Sequence, residues 1–159
     1  MNLRIISTGG TFEKVYDMLQ GKLRFDESQI PKLLATARAE IPCSELMLVD
    51  SLEMSDEQRH ELIQACRQAT EDQLVVIHGT DTMVETAEAL AGANIPKTIV
   101  LTGAMVPERV ADSDAVFNLG YAIAAAQLAE PGIWVAMNGR LHRWDSVYKN
   151  RTKGIFEEK

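Results

Sequence analysis

Two threonine-rich segments carry residue types that suit hydrolytic chemistry. The first is Ser-Thr-Gly-Gly-Thr over residues 7–11, and the second is His-Gly-Thr-Asp-Thr-Met over residues 78–83. A hydroxyl group attacks a carbonyl carbon once a neighbouring group takes its proton, and a carboxylate can orient that neighbour or hold a cationic substrate. Because the glycines allow sharp turns and close backbone approach, both segments are candidates for parts of one active site.

Each segment follows an apolar run that predicts a buried strand. The runs are residues 3–6 (LRII) and 74–77 (LVVI). Strands that are apolar at nearly every position are covered on both faces, which is typical of parallel sheets. Open α/β sheets place their ligand sites at the carboxyl ends of the strands. We therefore expect the two segments to meet at one edge of a sheet.

Strand-like and helix-like segments alternate along the whole chain. The predicted strands are 3–7, 45–50, 74–78, 98–102 and 132–137, and the predicted helices are 28–39, 56–70, 82–91 and 113–128. Ser55 and Gln58 have the spacing of a capping box at the start of the second helix. This order predicts an α/β fold, a doubly wound and mostly parallel sheet with helices on both faces, in a single domain over residues 1–159.

Composition excludes several classes of partner. The 159 residues are 46% hydrophobic and carry a net charge of −7, which disfavours nucleic acid and anionic membranes. No apolar run approaches the roughly 20 residues of a membrane span, and the chain enters a strand too early for a signal peptide. The cysteines, Cys43 and Cys66, lack metal-binding spacing, and Cys66 is expected to be a buried free thiol. These features predict a cytoplasmic protein.

Residues 13–26 form a candidate active-site loop. They follow the first threonine segment directly and have poor periodicity. A mobile loop over the site and an ordinary hairpin, with residues 15–19 against 22–25 and a turn at Gln20-Gly21, are both compatible with this pattern.

Each candidate group also has a purely structural interpretation. The first segment alone fits a tight turn, and it lacks the GxxxxGK[ST] pattern of a phosphate-binding loop. Asp81 fits a helix N-cap, and His78 is expected to pack or to bond locally. The chain has neither a GxSxG elbow nor metal-ligand spacing. A hydroxyl nucleophile then needs Lys or Tyr as its base, and Lys149 is a candidate unless it is a solvated surface charge.

Residues 8–11 (TGGT), 78–83 (HGTDTM) and 101–105 (LTGAM) together resemble the L-asparaginase family over almost the whole chain. The resemblance implies that Thr11 is the nucleophile and that Thr80, Asp81 and Lys149 take part in catalysis. It also implies a substrate-binding set, namely Ser51 with the preceding Asp50, Gly79, and Ala104 through its backbone.

The reaction implied is the hydrolysis of L-asparagine to L-aspartate and ammonia through an acyl-enzyme. Thr11 would attack the amide carbon, with Tyr16 or Lys149 as proton acceptor. Asp81 would bind the α-ammonium group and orient Lys149, and Ser51 would take the α-carboxylate. The resemblance implies no metal, no organic cofactor, a small amino-acid substrate and a homo-oligomer, either dimer or tetramer.

The chain departs from the family pattern in three respects. It has about half the usual family length, so the family's C-terminal domain is expected to be absent. Tyr16 lies closer to Thr11 than the family's loop tyrosine does. Val106 stands where the family commonly has an arginine. Lys149 lies one residue farther from the preceding Asp145 than the lysine does in the usual family pattern. Two alternatives therefore stay open: hydrolysis of another small amide such as glutamine, and a non-catalytic amino-acid-binding module.

Overall fold

The alternation of apolar runs and helical segments gives ten strands and four α-helices in residues 2–159, the part of the chain that the computed structural model describes. In chain order the elements are β1 (Leu3–Gly9), β2 (Lys14–Asp17), β3 (Lys22–Phe25), α1 (Ile30–Thr36), β4 (Cys43–Val49), α2 (Asp56–Gln68), β5 (Gln73–Ile77), α3 (Met83–Gly92), β6 (Thr98–Thr102), α4 (Ala115–Leu128), β7 (Gly132–Met137), β8 (Arg140–Arg143), β9 (Val147–Asn150) and β10 (Ile155–Glu158).

Six of these strands form the main sheet, in the order β4-β1-β5-β6-β7-β8. All its pairs are parallel except β7 with β8. The five parallel strands are arranged 2-1-3-4-5 when numbered among themselves, so the chain order reverses between β1 and β5. In doubly wound sheets this switch point opens the crevice in which ligands bind. Both threonine segments leave the sheet there.

Side chains on the central strands alternate between two hydrophobic clusters. Ile5, Val75 and Val100 pack with the first cluster, which contains buried residues of α1 and α4. The second cluster contains buried residues of α2 and α3 and takes the alternate strand positions, including Ile6 and Val76. Helices therefore cover both faces of a mostly parallel sheet. This confirms the predicted fold class.

Element boundaries differ from the prediction mainly at strand and helix ends. Helix α2 begins at Asp56 with the predicted capping box, in which Ser55 and Gln58 exchange hydrogen bonds. Helix α1 is shorter than predicted: it begins at Ile30, with Gln29 as its N-cap residue, and it ends at Thr36, two residues before Arg38 adopts a left-handed φ of 55°. Strands β8, β9 and β10 were not predicted, since each has only four residues and carries polar side chains on the exposed face.

Residues 14–25 form an antiparallel hairpin of β2 and β3. The hairpin interpretation of residues 13–26 is therefore confirmed, but its first strand covers residues 14–17 instead of 15–19. The role of this segment as an active-site loop stays a prediction. None of the helices within residues 2–159 has the length and apolar character needed to cross a bilayer.

Glycines allow the turns after the parallel strands to pack backbone against backbone. Gly10 has φ +70°, and a Cβ atom there would lie 2.4 Å from the Gly79 nitrogen. A Cβ atom on Gly79 would lie 2.5 Å from the Ser51 hydroxyl oxygen, and one on Gly103 would lie 2.3 Å from the His78 carbonyl oxygen. The turns that follow β1, β4, β5 and β6 thus interlock at one edge of the sheet.

Replacement of Gly79 by alanine tests this packing. Gly79 does not have a positive φ, so the added methyl group acts only through its clash with Ser51. We expect Gly79→Ala to lower the free energy of unfolding by about 1–3 kcal/mol, the usual range for overpacking. Urea denaturation measures this loss of free energy of unfolding. Gly92→Ala is the control, because a Cβ atom there meets nothing within 4 Å. Equal midpoints for Gly79→Ala and the wild type would contradict the interpretation.

Candidate active site

The first threonine segment places Thr11 at the edge of the switch point. Strand β1 ends at Gly9, and residues Thr11–Glu13 form a 3-10 turn. The Thr8 hydroxyl donates a hydrogen bond to the Ile77 carbonyl at 2.8 Å, so it ties β1 to β5 and is not free to react. Thr11 is half-buried, and its hydroxyl has no hydrogen-bond partner within residues 2–159. Thr11 is thus the hydroxyl of this segment that a ligand can reach.

A buried carboxylate holds the turn that carries Thr11. Glu13 is fully buried, and it accepts hydrogen bonds from the Ser7 hydroxyl at 2.6 Å and the Ser28 hydroxyl at 2.7 Å. It also accepts from the Gln29 backbone N–H at 2.7 Å. A buried carboxylate needs such partners to offset the loss of water. Glu13 therefore links strand β1, the Thr11 turn and the start of α1.

The second threonine segment meets a lysine from the far end of the chain. Lys149 Nζ donates to the Thr80 hydroxyl at 2.8 Å and to the Asp81 carboxylate at 2.9 Å. The Lys149 side chain is only 10% exposed, so its interpretation as a solvated surface charge is wrong. Thr80 is buried and directly follows Gly79, the residue in contact with Gly10. Thr11 and Thr80 thus flank one backbone contact.

Two cations surround the Asp81 carboxylate. Lys149 lowers the pKa of Asp81 below its usual range, and Arg151 lowers it further, while partial burial opposes them. Arg151 Nη1 pairs with the carboxylate, and Nη2 donates to the Asp81 carbonyl at 3.0 Å. Helix α3 begins at Met83 with Thr82 as its N-cap residue, so the N-cap interpretation of Asp81 is wrong. The ammonium-binding role of Asp81 stays a prediction.

The loop after β4 brings the Asp50-Ser51 pair to the same edge. Ser51 is buried, and its hydroxyl accepts from the Thr82 N–H at 3.3 Å. Asp50 forms an ion pair with Lys14 of the hairpin at 2.5 Å, which lowers the pKa of the Asp50 carboxyl group. The negative charge of Asp81 opposes that shift, because the two carboxylates lie near each other. Ser51 and Asp50 therefore border the second threonine segment.

Ala104 lies in the turn after β6 and is buried. Its neighbour Gly103 contacts His78, and the Asp114 carboxylate accepts from the N–H groups of Met105 and Val106 at 3.0 Å. These bonds fix the turn beside the second threonine segment. The roles of Ala104 and Gly79 in substrate binding stay predictions.

Tyr16 is not joined to the other candidates. It lies on β2, its side chain is 59% exposed, and none of the hydrogen bonds within residues 2–159 uses its hydroxyl. Its direct neighbour on the partner strand is Leu23. Its role as proton acceptor stays a prediction.

His78 is fully buried and bonds locally, as predicted. Its Nδ1 atom lies 2.8 Å from the Gly79 carbonyl, and its Nε2 atom lies 2.8 Å from the Thr86 hydroxyl. Cys66 is buried as well, which confirms that expectation. Within residues 2–159, no group of three His, Cys, Asp or Glu side chains is arranged to hold a metal ion.

Sequence reasoning missed Glu13 and Arg151. Arg151 lies in the turn that follows β9, only two residues beyond Lys149, so its nearness to Lys149 in the chain was a signal that could have found it. Glu13 gave no such signal. Its partners Ser7, Ser28 and Gln29 are common surface residues, and only the fold brings them together.

Comparison with known proteins finds similar sequences over nearly the whole chain. The family model described as "Asparaginase, N-terminal" matches residues 2–156. An L-asparaginase from Thermococcus kodakarensis is 31% identical in an alignment of 162 positions that covers 98% of this chain and 49% of that relative. The chain spans about half the length of the L-asparaginases it matches.

Solved structures resemble the whole chain in the same way. The thermostable L-asparaginase from Thermococcus kodakarensis superposes with a TM-score of 0.88 at 30% identity, over 99% of this chain and 51% of that one. A probable cytoplasmic L-asparaginase from Campylobacter jejuni gives a TM-score of 0.81 at 26% identity, over 98% of this chain and 52% of that one.

The buried imidazole of His78 predicts a pH-dependent stability. Burial lowers the pKa of His78 to about 4, whereas an unfolded histidine titrates near about 6.5. Between these values the unfolded chain binds a proton that the folded chain does not, so stability falls as the pH drops. Between pH 7 and pH 4, we expect the free energy of unfolding to fall by about 3 kcal/mol more in the wild type than in His78→Gln.

Chemical denaturation at several pH values measures this difference. The exposed His60 provides the control variant His60→Gln, which is expected to behave as the wild type. NMR titration of the His78 ring is the direct check, and a midpoint near the unfolded value would contradict the prediction.

Proposed function

The chain belongs to the asparaginase family, as its motifs predict, and on that premise we propose that it hydrolyses the side-chain amide of L-asparagine to L-aspartate and ammonia. One observation carries the proposal: Lys149, Thr80 and Asp81 form a hydrogen-bonded set beside the turn that presents Thr11. Hydroxyl, amine and carboxylate in one place are the groups that acyl transfer needs when no histidine is available.

Thr11 is the proposed nucleophile. Its hydroxyl lies in a fixed turn and has no partner within residues 2–159, whereas the Thr8 hydroxyl is bound to Ile77. The Thr11 oxygen attacks the amide carbon, its proton leaves to a base, and the protonated amide nitrogen departs as ammonia. Water then hydrolyses the threonyl ester, which releases the carboxylic acid and regenerates the hydroxyl group.

The proton acceptor in the first step is Tyr16 or Lys149. Lys149 is the better positioned of the two, because its amine already contacts a threonine hydroxyl and is oriented by Asp81. The Tyr16 side chain is exposed and lacks such contacts within residues 2–159. Backbone N–H groups near Thr11 or Thr80 stabilise the oxyanion in this proposal. The Gly10 N–H is not among them, since it donates to the Val49 carbonyl at 2.9 Å.

Substitution of the hydroxyl and amine groups tests the proposal. We expect Thr11→Val, Thr80→Val and Lys149→Met to lower kcat/KM for ammonia release from L-asparagine by about 10³-fold or more, as loss of a nucleophile or its base does. Thr36→Val, on the exposed face of α1, is the control. Tyr16→Phe distinguishes the two candidate bases, because this substitution lowers kcat/KM only if Tyr16 accepts the proton.

Two outcomes would contradict the proposal. Wild-type rates in both Thr11→Val and Thr80→Val would exclude a threonine mechanism. Saturable binding of L-asparagine by calorimetry without any ammonia release would favour a non-catalytic binding module. Preferential release of ammonia from L-glutamine would support the same hydrolysis but identify a different substrate.

The proposal also includes the assembly and the location of the protein, a homo-oligomer in the cytoplasm. Helix α4 has no charged residue over positions 115–128, yet Val116, Phe117 and Leu128 are 56%, 63% and 84% exposed. Helices that are apolar on all sides are usually buried, so a second copy covering α4 would remove this surface from water. A cytoplasmic location rests on the resemblance to the Campylobacter jejuni protein.

A charge on α4 tests the oligomer. We expect Phe117→Glu to lower the mass measured by light scattering at micromolar concentration to that of the 17.6 kDa monomer, because a buried unpaired charge is costly. Gln68→Glu on the exposed surface of α2 is the matched control. An unchanged mass for Phe117→Glu would place any interface elsewhere.

A further inference from the structure

Arg59 is a largely buried cation near the start of a helix, where the helix dipole disfavours positive charge. It lies in the first turns of α2, and its side chain is 16% exposed. Within residues 2–159, its one ion pair is with Asp56, whose side chain is 99% exposed. Pairs with such exposed partners contribute little to stability. Helix stability therefore does not explain the burial of Arg59.

The Arg59 guanidinium instead contacts two threonine hydroxyls of another helix. Its Nη2 atom donates to the Thr82 hydroxyl at 3.2 Å, and its Nε atom donates to the Thr86 hydroxyl at 3.1 Å. Thr82 is the N-cap residue of α3, and Thr86 lies one turn later. A guanidinium only donates hydrogen bonds, so each threonine oxygen accepts one from Arg59. The proton of each hydroxyl is then available to a partner on the other side.

The Thr82 hydroxyl connects Arg59 to Ser51. It donates to the Ser51 carbonyl at 2.9 Å, and the Thr82 N–H donates to the Ser51 hydroxyl at 3.3 Å. These two bonds hold the backbone and the side chain of Ser51 against the start of α3. Ser51 is the residue expected to take the α-carboxylate of the substrate. Arg59 therefore supports this candidate binding group through one intervening hydroxyl.

The Thr86 hydroxyl connects Arg59 to the buried ring of His78. The His78 Nδ1 atom lies 2.8 Å from the Gly79 carbonyl oxygen, which can only accept, so Nδ1 carries the ring proton. Burial, together with the charge of Arg59, lowers the pKa of His78 to about 4, so the ring is neutral at pH 7 and Nε2 is an acceptor. The Thr86 hydroxyl, 2.8 Å away, therefore donates to Nε2. All donors of this chain point from Arg59 toward Gly79, the residue before Thr80.

We propose that Arg59 is a positioning residue of the active site, acting through two threonine hydroxyls on Ser51 and on the turn that carries Thr80. The kinetic part of this inference rests on the amide hydrolysis proposed above. The Thr82 branch holds a group expected to bind substrate, so its loss raises KM. The Thr86 branch holds the turn that carries a group expected to take part in catalysis, so its loss lowers kcat.

Substitutions in each branch test this division. We expect Thr82→Val to raise KM for L-asparagine by about tenfold and Thr86→Val to lower kcat by about tenfold, the effect of one lost hydrogen bond. Arg59→Met should do both, and adding Thr82→Val to it should raise KM no further, because the two residues act in one network. Thr82→Ser and Thr86→Ser keep the hydroxyl groups and should stay within about threefold of the wild type.

Arg67→Met is the matched control. Arg67 lies on the same helix and donates to the carbonyl of Ala93, at the opposite end of α3, so KM and kcat are expected to stay at wild-type values. Arg59→Lys keeps the charge without the rigid fork that reaches both hydroxyls, and it is the second variant if Arg59→Met does not fold. Wild-type KM and kcat in either Arg59 variant, with only the free energy of unfolding reduced, would identify a purely structural role and overturn the proposal.

NMR of the His78 ring nitrogens tests the hydrogen-bond chain without any substrate. The wild type is expected to carry the ring proton on Nδ1, with Nε2 unprotonated and hydrogen-bonded. Arg59→Met and Thr86→Val should each shift the Nε2 resonance, whereas Arg67→Met should leave it in place. A ring proton on Nε2 in the wild type, or an unshifted Nε2 resonance in Arg59→Met, overturns the proposal.

The NMR result also separates failure of this inference from failure of the proposed hydrolysis. If the wild type releases no ammonia from L-asparagine but the Nε2 resonance shifts as expected, the hydrolysis is wrong and the action of Arg59 on the turn is supported. If ammonia is released and the resonance does not shift, the hydrolysis stands and the role of Arg59 is overturned.

Discussion

The contact between the Gly10 and Gly79 backbones is the constraint on which the site depends. Each glycine lies in the turn that follows a central parallel strand, and a side chain at either position would meet main-chain or Ser51 atoms at about 2.5 Å or less. The next residue in each turn is a threonine. Close packing of two backbones therefore brings two hydroxyl groups to the switch point of the sheet, where the chain order reverses. Without the close approach of the Gly10 and Gly79 backbones, the two threonine segments would lie in separate turns.

The electrostatics of the site follow from burying a lysine at that contact. Lys149 is 10% exposed, and a poorly solvated amine needs an opposite charge and further hydrogen-bond partners. Asp81 and Thr80 supply both. The same carboxylate also accepts a hydrogen bond from Arg151, so two cations of the protein itself neutralise its negative charge. Asp81 therefore holds Lys149 and Arg151 together at the end of β5.

The sequence predicts the parallel sheet well and puts the candidate residues at strand ends, because both depend on local patterns. Apolar runs fix β1, β5, β6 and β7, and glycine–threonine turns mark the strand ends. The Arg151–Asp81 pair and the Glu13 cluster could not be predicted in the same way. They join residues brought together only by the tertiary fold, and their members have ordinary surface side chains. The sequence-based alternatives for Asp81 and Lys149 were wrong for the same reason.

The position of Lys149 depends on hydrophobic burial outside the threonine segments. Val147 and Phe156, on β9 and β10, are buried in the cluster that also contains Met83 of α3. The Phe156 N–H donates to the Asn138 side chain at 2.9 Å, which attaches this hairpin to the end of β7. Because side chains alternate along a strand, burial of Val147 directs Lys149, two residues later, toward the same side. The apolar anchors of a short hairpin thus place the amine against Thr80, and the chemistry of the site depends on packing that none of its polar residues supplies.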